Sequence, residues 1–405
     1  MHAFTRLGLA AGTALAATAA FTAAAAADSA PAATTATPAA TAAPATAPAA
    51  GIDLAHCGCA GGRHAVFVQT DNPAGNQIVA YRRAEDGTLS PAGIYDTGGR
   101  GGVLDGSVVD HLASQGSLSY DPRHGLLYAV NAGSDTVSVF AVDGDRLELR
   151  ETVSSGGSFP VSVAVSGDVV YVLNALDGGS IQGYRLIDGD RLAEVPYWNR
   201  PLGLDPAATP QYTNTPGQVG FSADGRQLLV TTKANGNAVD VFALDRDGAP
   251  AAAPVVNILP SAVPFSFVTR GRHGILLTEA GPNAVATFVL NRDGTLTQTS
   301  FAATGQTATC WITSVDDLVY ASNAGSANLS GFRADPSGVL APLGETPTDP
   351  GTVDSAATAD GRYLYVQTGG AGIVDEFRIH RDGTLSPLGS QTVPDAVGGQ
   401  GIVAF

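Results

Sequence analysis

A unit of about 45 residues recurs seven times between residues 61 and 405, and no other feature of the chain restricts its fold as tightly. In each copy an apolar strand ends in an aromatic residue or Leu, then a polar turn follows, then an alternating strand. The copies begin at Ala65–Thr70, Leu126–Asn131, Val169–Asn174, Gln227–Thr232, Ile275–Glu279, Leu318–Asn323 and Tyr363–Thr368. With Phe67, Tyr128, Tyr171, Leu229, Leu276, Tyr320 and Tyr365 as the register, they lie 61, 43, 58, 47, 44 and 45 residues apart. A period near 45 with Gly and Asn turns is that of propeller blades, small sheets that bury their faces only against their neighbours.

The unit LLYAVNAGSDTVSVFAVDGDRLEL (Leu126–Leu149) is the clearest. Alternation and turn signals divide each blade into four short strands. The outer hairpins turn at Asp86-Gly87, Asp143-Gly144, Asp188-Gly189, Asp247-Gly248, Asp293-Gly294 and Asp382-Gly383, with Ser337-Gly338 in the remaining blade. These pairs supply the positive φ that a tight β turn demands. Innermost strands number six: Leu118–Tyr120, Val161–Val165, Val219–Phe221, Phe265–Val268, Trp311–Ser314 and Ala356–Thr358. The missing one belongs before Ala65, and the final Gly401–Phe405 reads as an inner strand without a blade. The sequence therefore predicts an all-β, seven-bladed β-propeller in which the C-terminal strand joins the first blade and closes the ring, removing exposed sheet edges. A pair of β-sandwiches is the alternative, and seven matching units argue against it.

Composition narrows the function. Of 405 residues, Lys and Arg make 21 and Asp and Glu 37, for a formal charge of -16, and Lys233 is the only lysine. Phosphate neutralisation needs concentrated positive charge, so no nucleic-acid partner is expected. Fifty glycines and a single Met leave too few strong helix formers for a helical bundle. Residues 1–27 carry Arg6, an apolar Ala-rich stretch and a small-residue site before Asp28, the layout of a secretory signal peptide. A retained anchor is the other reading, disfavoured because Ala and Thr are weakly hydrophobic for a spanning helix. Residues 28–60, mostly Ala, Pro, Thr and Ser up to Ala50, read as a flexible linker, and 61–405 as the propeller. The expectation is a secreted, extracellular protein with no stable membrane insertion once the signal is removed.

LYAVNAGSDTVSVF and VYASNAGSANLSGF are similar to YVTN-type repeats. The ensemble from about Arg63 to Phe405 resembles the secreted lactonase-like propellers related to 6-phosphogluconolactonase and carboxymuconate-lactonizing enzymes. The resemblance implies hydrolysis or isomerisation of a small sugar-derived or carboxylated lactone, with no metal or organic cofactor. Active members carry His, Arg and Glu at inner-strand starts, in segments of the type Gly-Pro-His-x-His-Ser-Val. The matching stretch here is Gly157–Val163, with Phe159 and Val161 where histidines would stand, so that His/Arg set is not found.

Two lead-ins to inner strands are long, Gly98–Ser117 and Tyr197–Gln218, and both fall on the propeller face that carries the loops into each inner strand and after each second strand. Long insertions on a rigid scaffold often carry function. They bring Arg100, Asp105, Asp110, His111, Gln115, Tyr197, Trp198, Arg200 and Tyr212 towards one mouth. Opening a lactone needs a base for water and a donor for the developing oxyanion. His111 or Asp110 suits the first, and Arg200 or Gln218 the second. The plainer alternative pairs Asp110 with Arg200 and uses Trp198 as a lid on the channel. Gln115, Trp198, Gln218, Lys233, Glu279, Asp354 and Gln400 are candidate ligand contacts, with a surface Lys233–Glu279 ion pair as the structural alternative. Asn131, Asn174 and Asn323 share one register position and read as turn formers. Cys310 is expected to be buried and reduced, with Cys57 and Cys59 paired to each other or to another chain. A zinc cluster of His56, Cys57, Cys59 and His64 matches no common spacing, so no metal is expected. Two functions remain open: a lactonase-like enzyme, and a non-catalytic binding or scaffold propeller for a sugar, peptide or extracellular protein.

Overall fold

The computed structural model describes residues 64–405. The expected signal peptide, the whole linker, His56, Cys57 and Cys59 lie outside the described residues. Seven antiparallel sheets succeed one another along the chain, six of them in simple up-and-down order from the innermost strand outwards. The seventh, blade 1, combines Ala65–Gln69, Gln77–Arg83 and Leu89–Asp96 with Ile402–Ala404 as its innermost strand. The pairing Val66↔Ala404, Phe67↔Val403 and Val68↔Ile402 closes the ring, and Ala65 and Phe405 exchange two backbone hydrogen bonds of 3.1 Å. The Phe405 ring then stacks on Tyr120 of blade 2 at 4.4 Å, which ties the closing strand to the next sheet. Seven blades and closure by the C-terminal strand thus stand as the repeats predict.

The second strand of each blade is buried along its length, apart from the first residue in blades 3 and 5, because it lies between neighbouring sheets as well as within its own. The tyrosines that define the repeat also have a second task. Tyr171 donates its hydroxyl proton to the Gly248 carbonyl at 2.6 Å, Tyr320 to Gly383 at 3.0 Å, and Tyr365 to Gly87 at 2.6 Å. Each bond runs from one blade to the Asp-Gly hairpin of the next. Glycine is required there by contact as well as by turn geometry: Gly87 has φ +95°, and a Cβ on it would fall 2.2 Å from the Tyr363 ring. In blade 2 the equivalent Tyr128 hydroxyl is buried with no partner.

Blade 7 departs from the expected boundaries. Its inner strand runs Thr352–Ala357, four residues earlier than alternation suggests, and a register shift between Thr352 and Ser355 is the cause. Comparable shifts open the inner strands of blades 3, 5 and 6. A bulge breaks the period-2 pattern that locates a strand in sequence. Among the described residues no helix is long and apolar enough to cross a membrane.

Candidate functional site

The first long insertion lies across one mouth of the central channel, in contact with most of the ring. Gly101 N donates to Asn72 O of blade 1, His111 N to Gly398 O ahead of the closing strand, and Ser114 Oγ to Val161 O of blade 3. Gln115 N donates to Gly217 O ahead of blade 4, while its carboxamide donates to Ile312 O and accepts from Ile312 N in blade 6, at 3.0 and 2.9 Å. The Trp311 indole N–H donates to Ser114 O at 2.7 Å. Leu104, Leu112 and Ala113 extend the apolar core of blades 2 to 4 into this segment. Residues 98–117 therefore form a plug.

Asp110 shapes the plug. Its carboxylate accepts Leu112 N at 2.8 Å and Ser114 N at 3.1 Å, folding the segment into a tight turn, and it is 4 % exposed. Two more carboxyls lie beneath it. Asp71, just past the second strand of blade 1, is fully buried, accepts Gln400 N at 2.7 Å and takes a hydrogen bond from the Gln69 amide. Asp354, at the bulge of blade 7, accepts Ser355 N at 2.9 Å. Burial pushes Asp71 up to about 8 and Asp110 and Asp354 each up to about 7; repulsion from Asp110 adds to the rise at Asp71 and Asp354, while Lys233 opposes it at Asp110. His111 is half-buried against Gly398 and its pKa is lowered by burial, an effect partly offset by the Asp71 carbonyl. Its Nδ1 is buried without a partner.

Lys233 has no exposed surface. Its ammonium donates to Ala113 O and Tyr212 O, both at 2.7 Å, and to Thr215 Oγ1 at 3.2 Å, so one cation ties both insertions to blade 4. Burial lowers its pKa to about 7, with nearby Asp110 opposing the fall, and it lies 5.4 Å above the Phe265 ring. The expected Lys233–Glu279 surface ion pair is not formed. Glu279 ends the second strand of blade 5, nearly buried, with its carboxyl raised by desolvation. Cys310 is a free thiol whose pKa burial pushes up to about 12, leaving it protonated.

Several expected members lie elsewhere. Arg200 pairs with neither Asp110 nor His111: its guanidinium donates to the carbonyls of Tyr197, Asn199, Pro250 and Ala251 at 2.6–2.9 Å. Trp198 does not lid the channel. It is 5 % exposed, stacked 6.0 Å from Tyr171, and carries Arg185 over its ring. The reason is local. The fourth strand of blade 3 is only Arg191–Glu194, so part of Ser180–Ile187 is left without an outer neighbour, and Arg200–Pro201 returns to pair with Ser180 and Ile181. The first half of the second insertion thus completes blade 3, and only its second half reaches the plug, where Gln211 Oε1 accepts Asp105 N. Gln218 joins blades 4 and 5, donating to Phe267 O at 3.1 Å and accepting Phe267 N at 2.6 Å. Arg100 caps Gly133 O at the surface, Tyr212 is partly exposed, and Tyr197 is 84 % exposed.

The residues brought together are Asp110, His111, Gln115, Lys233, Asp354 and Gln400. Sequence reasoning passed over Asp71, Gln69, Ser114 and Gln367. One signal was available: where blades 2, 3 and 6 end the second strand in a buried Asn, blade 1 places Gln69-Thr70-Asp71, and Asp71 adopts φ +52°. Among the described residues no three His, Cys, Asp or Glu side chains converge as metal ligands.

No protein-family model matches the sequence, and no curated protein does. Solved structures do share its shape. The periplasmic gluconolactonase of Pseudomonas aeruginosa superposes with a TM-score of 0.69 at 18% identity, over 84% of this chain and 98% of that one. A candidate 6-phosphogluconolactonase of Bacteroides uniformis gives 0.67 at 20% identity over 84% and 99%, and one of Bacteroides fragilis 0.66 at 18% over 86% and 100%. The chain is a seven-bladed β-propeller of the lactonase-like shape.

Proposed function

We propose that this chain is a secreted lactonase-like propeller that opens a small sugar-derived or carboxylated lactone at its plugged face, with His111 as the base that activates water. The observation carrying this reading is the placement of His111, half-buried at the edge of the plug, where burial lowers its pKa and favours the unprotonated imidazole that can accept a proton. The likeness in shape to propellers named as gluconolactonases supports the substrate class. Asp110 and Asp71 are held by backbone N–H groups and act on the shape of the site rather than on water. The composition of residues 1–27 supports export.

A second reading has its own support. Arg200 and Gln218, the expected oxyanion donors, are both occupied by backbone groups. A propeller whose mouth is filled and whose donors are engaged suits binding of a sugar, peptide or extracellular protein. A lactone panel assayed with wild type and His111→Ala separates the two. The enzyme reading expects turnover by wild type and a loss of about a hundredfold or more in kcat/KM for the variant, the usual scale for a missing general base. Equal turnover by the two proteins would remove His111 from the reaction, and no turnover of any lactone would leave the binding reading.

A further inference from the structure

Blades 5 and 6 meet without a tyrosine clasp. The register position of blade 5 is Leu276, which packs against blade 6 and has no hydroxyl to give its hairpin. That hairpin is also the exception in the repeat: Pro336-Ser337 stands where blades 4, 5 and 7 carry Arg-Asp. Neither a phenol ring nor a long charged side chain enters the space between them. A cleft of about 510 Å³ opens there, between the hairpin of blade 6 and the turn joining the first two strands of blade 5. That is room for a small molecule rather than for a few waters. Both loops belong to the face opposite the plug.

The cleft carries positive charge that no carboxylate meets. Arg270 donates from Nη1 to Asp335 O and from Nη2 to Ala334 O, both at 2.7 Å, and its Nε is buried without a partner. Carbonyl groups thus hold the guanidinium in place without neutralising it, and they take two of its five N–H donors. Arg272, in the turn that follows, is exposed. Among the described residues neither arginine is in an ion pair. The two carboxylates nearby are turned elsewhere. Asp335 accepts Ser337 N, Ser337 Oγ and Val339 N within its own hairpin. Asp316 faces blade 7, its Oδ2 lying 3.6 Å from where a Cβ on Gly361 would be. His273 adds a basic ring, although it also faces Asp224 of blade 4. Thr287 lines the cleft too, 4 % exposed, with a hydroxyl that has no partner.

We propose that this cleft binds a small organic oxyanion, a molecule carrying a carboxylate or a phosphate, with Arg270 and Arg272 meeting its charge. Planar guanidinium groups match the oxygens of either anion in pairs. Arg270 is already fixed by its carbonyls and loses little freedom on binding, whereas Arg272 is free to turn onto the ligand. The net charge of -16 would repel such a molecule from most of the surface, which makes a local excess of cations the place to hold it. The inference is independent of any reaction at the plug.

Calorimetric titration of the whole chain with citrate and with inorganic phosphate, at constant ionic strength set by chloride, tests the site. Wild type should bind at least one of them with a Kd of about 1 mM or tighter, and the anion preferred tells carboxylate from phosphate. Arg272→Glu reverses a charge on a side chain that holds nothing else in place. Ser337→Asp restores the Asp-Gly pair of the other six hairpins, so it keeps the turn while setting a carboxylate at the rim. Each should weaken binding by about tenfold or more. Hydrogen exchange should slow on binding in peptides covering 268–276 and 334–340, and stay unchanged in those covering 104–117. No binding of either anion overturns the proposal. Wild-type affinity in both variants does so as well, as does protection confined to 104–117.

Discussion

Lys233 takes a left-handed backbone conformation at φ +48°, and its ammonium reaches three acceptors on two different insertions. Its removal leaves buried carbonyl groups without a donor and Asp110 without its nearest cation. Lys233→Ala should lower stability by about 3–5 kcal/mol, the range for one partner lost from a buried charged network. Chemical denaturation would measure that, and exchange should quicken in both insertions and not in blade 6. Gly398 is the second sensitive position. It has φ +80°, and a Cβ would come within 2.0 Å of His111 Nε2. Gly398→Ala combines backbone strain with displacement of the imidazole, a loss of roughly 1–3 kcal/mol. If His111 is the base, that variant should lose turnover while keeping its fold by circular dichroism.

At the level of strands and hairpins, the tyrosine clasps carry a separable expectation. Tyr171→Phe or Tyr365→Phe removes one hydroxyl and leaves a glycine carbonyl without that donor, so each should cost about 1 kcal/mol in denaturant unfolding. Tyr128→Phe should cost nothing or stabilise, because its hydroxyl is buried without a partner. These elements were also the part most legible in the sequence. The period, the Asp-Gly turns and the stray C-terminal strand each depend on local chemistry that survives in a one-dimensional reading. The site was read only in part. Asp110 and His111 stand out in a long insertion, Lys233 in a loop after a second strand, and Asp354 and Gln400 at entries to inner strands, and the ring does gather them. Arg200 and Trp198 were misplaced because nothing local shows that the fourth strand of blade 3 stops early and that a segment six residues on returns to its sheet. Asp71 was missed because its partners come from residues 69 and 400, which closure alone makes neighbours.

The whole molecule should have an acid-shifted stability profile. Asp240 and Asp375 are raised to about 6 by burial, and they join Asp71, Asp110 and Asp354 in binding protons more tightly when folded. Groups with raised folded pKa stabilise fully below their unfolded value and lose that contribution as pH passes the folded one. Unfolding free energy should therefore fall from about pH 5 to pH 8, which a series of denaturant titrations would show, and a maximum at or above pH 8 would contradict it. Closure has another consequence for a ring this size. Val66 pairs with Ala404, so the first sheet waits for a partner that is made only after the other six blades. Until Ile402–Ala404 emerges, Ala65–Gln69 has no partner on that flank. Shielding that flank until then is a task for the cell, and it falls on the same few residues in every copy made.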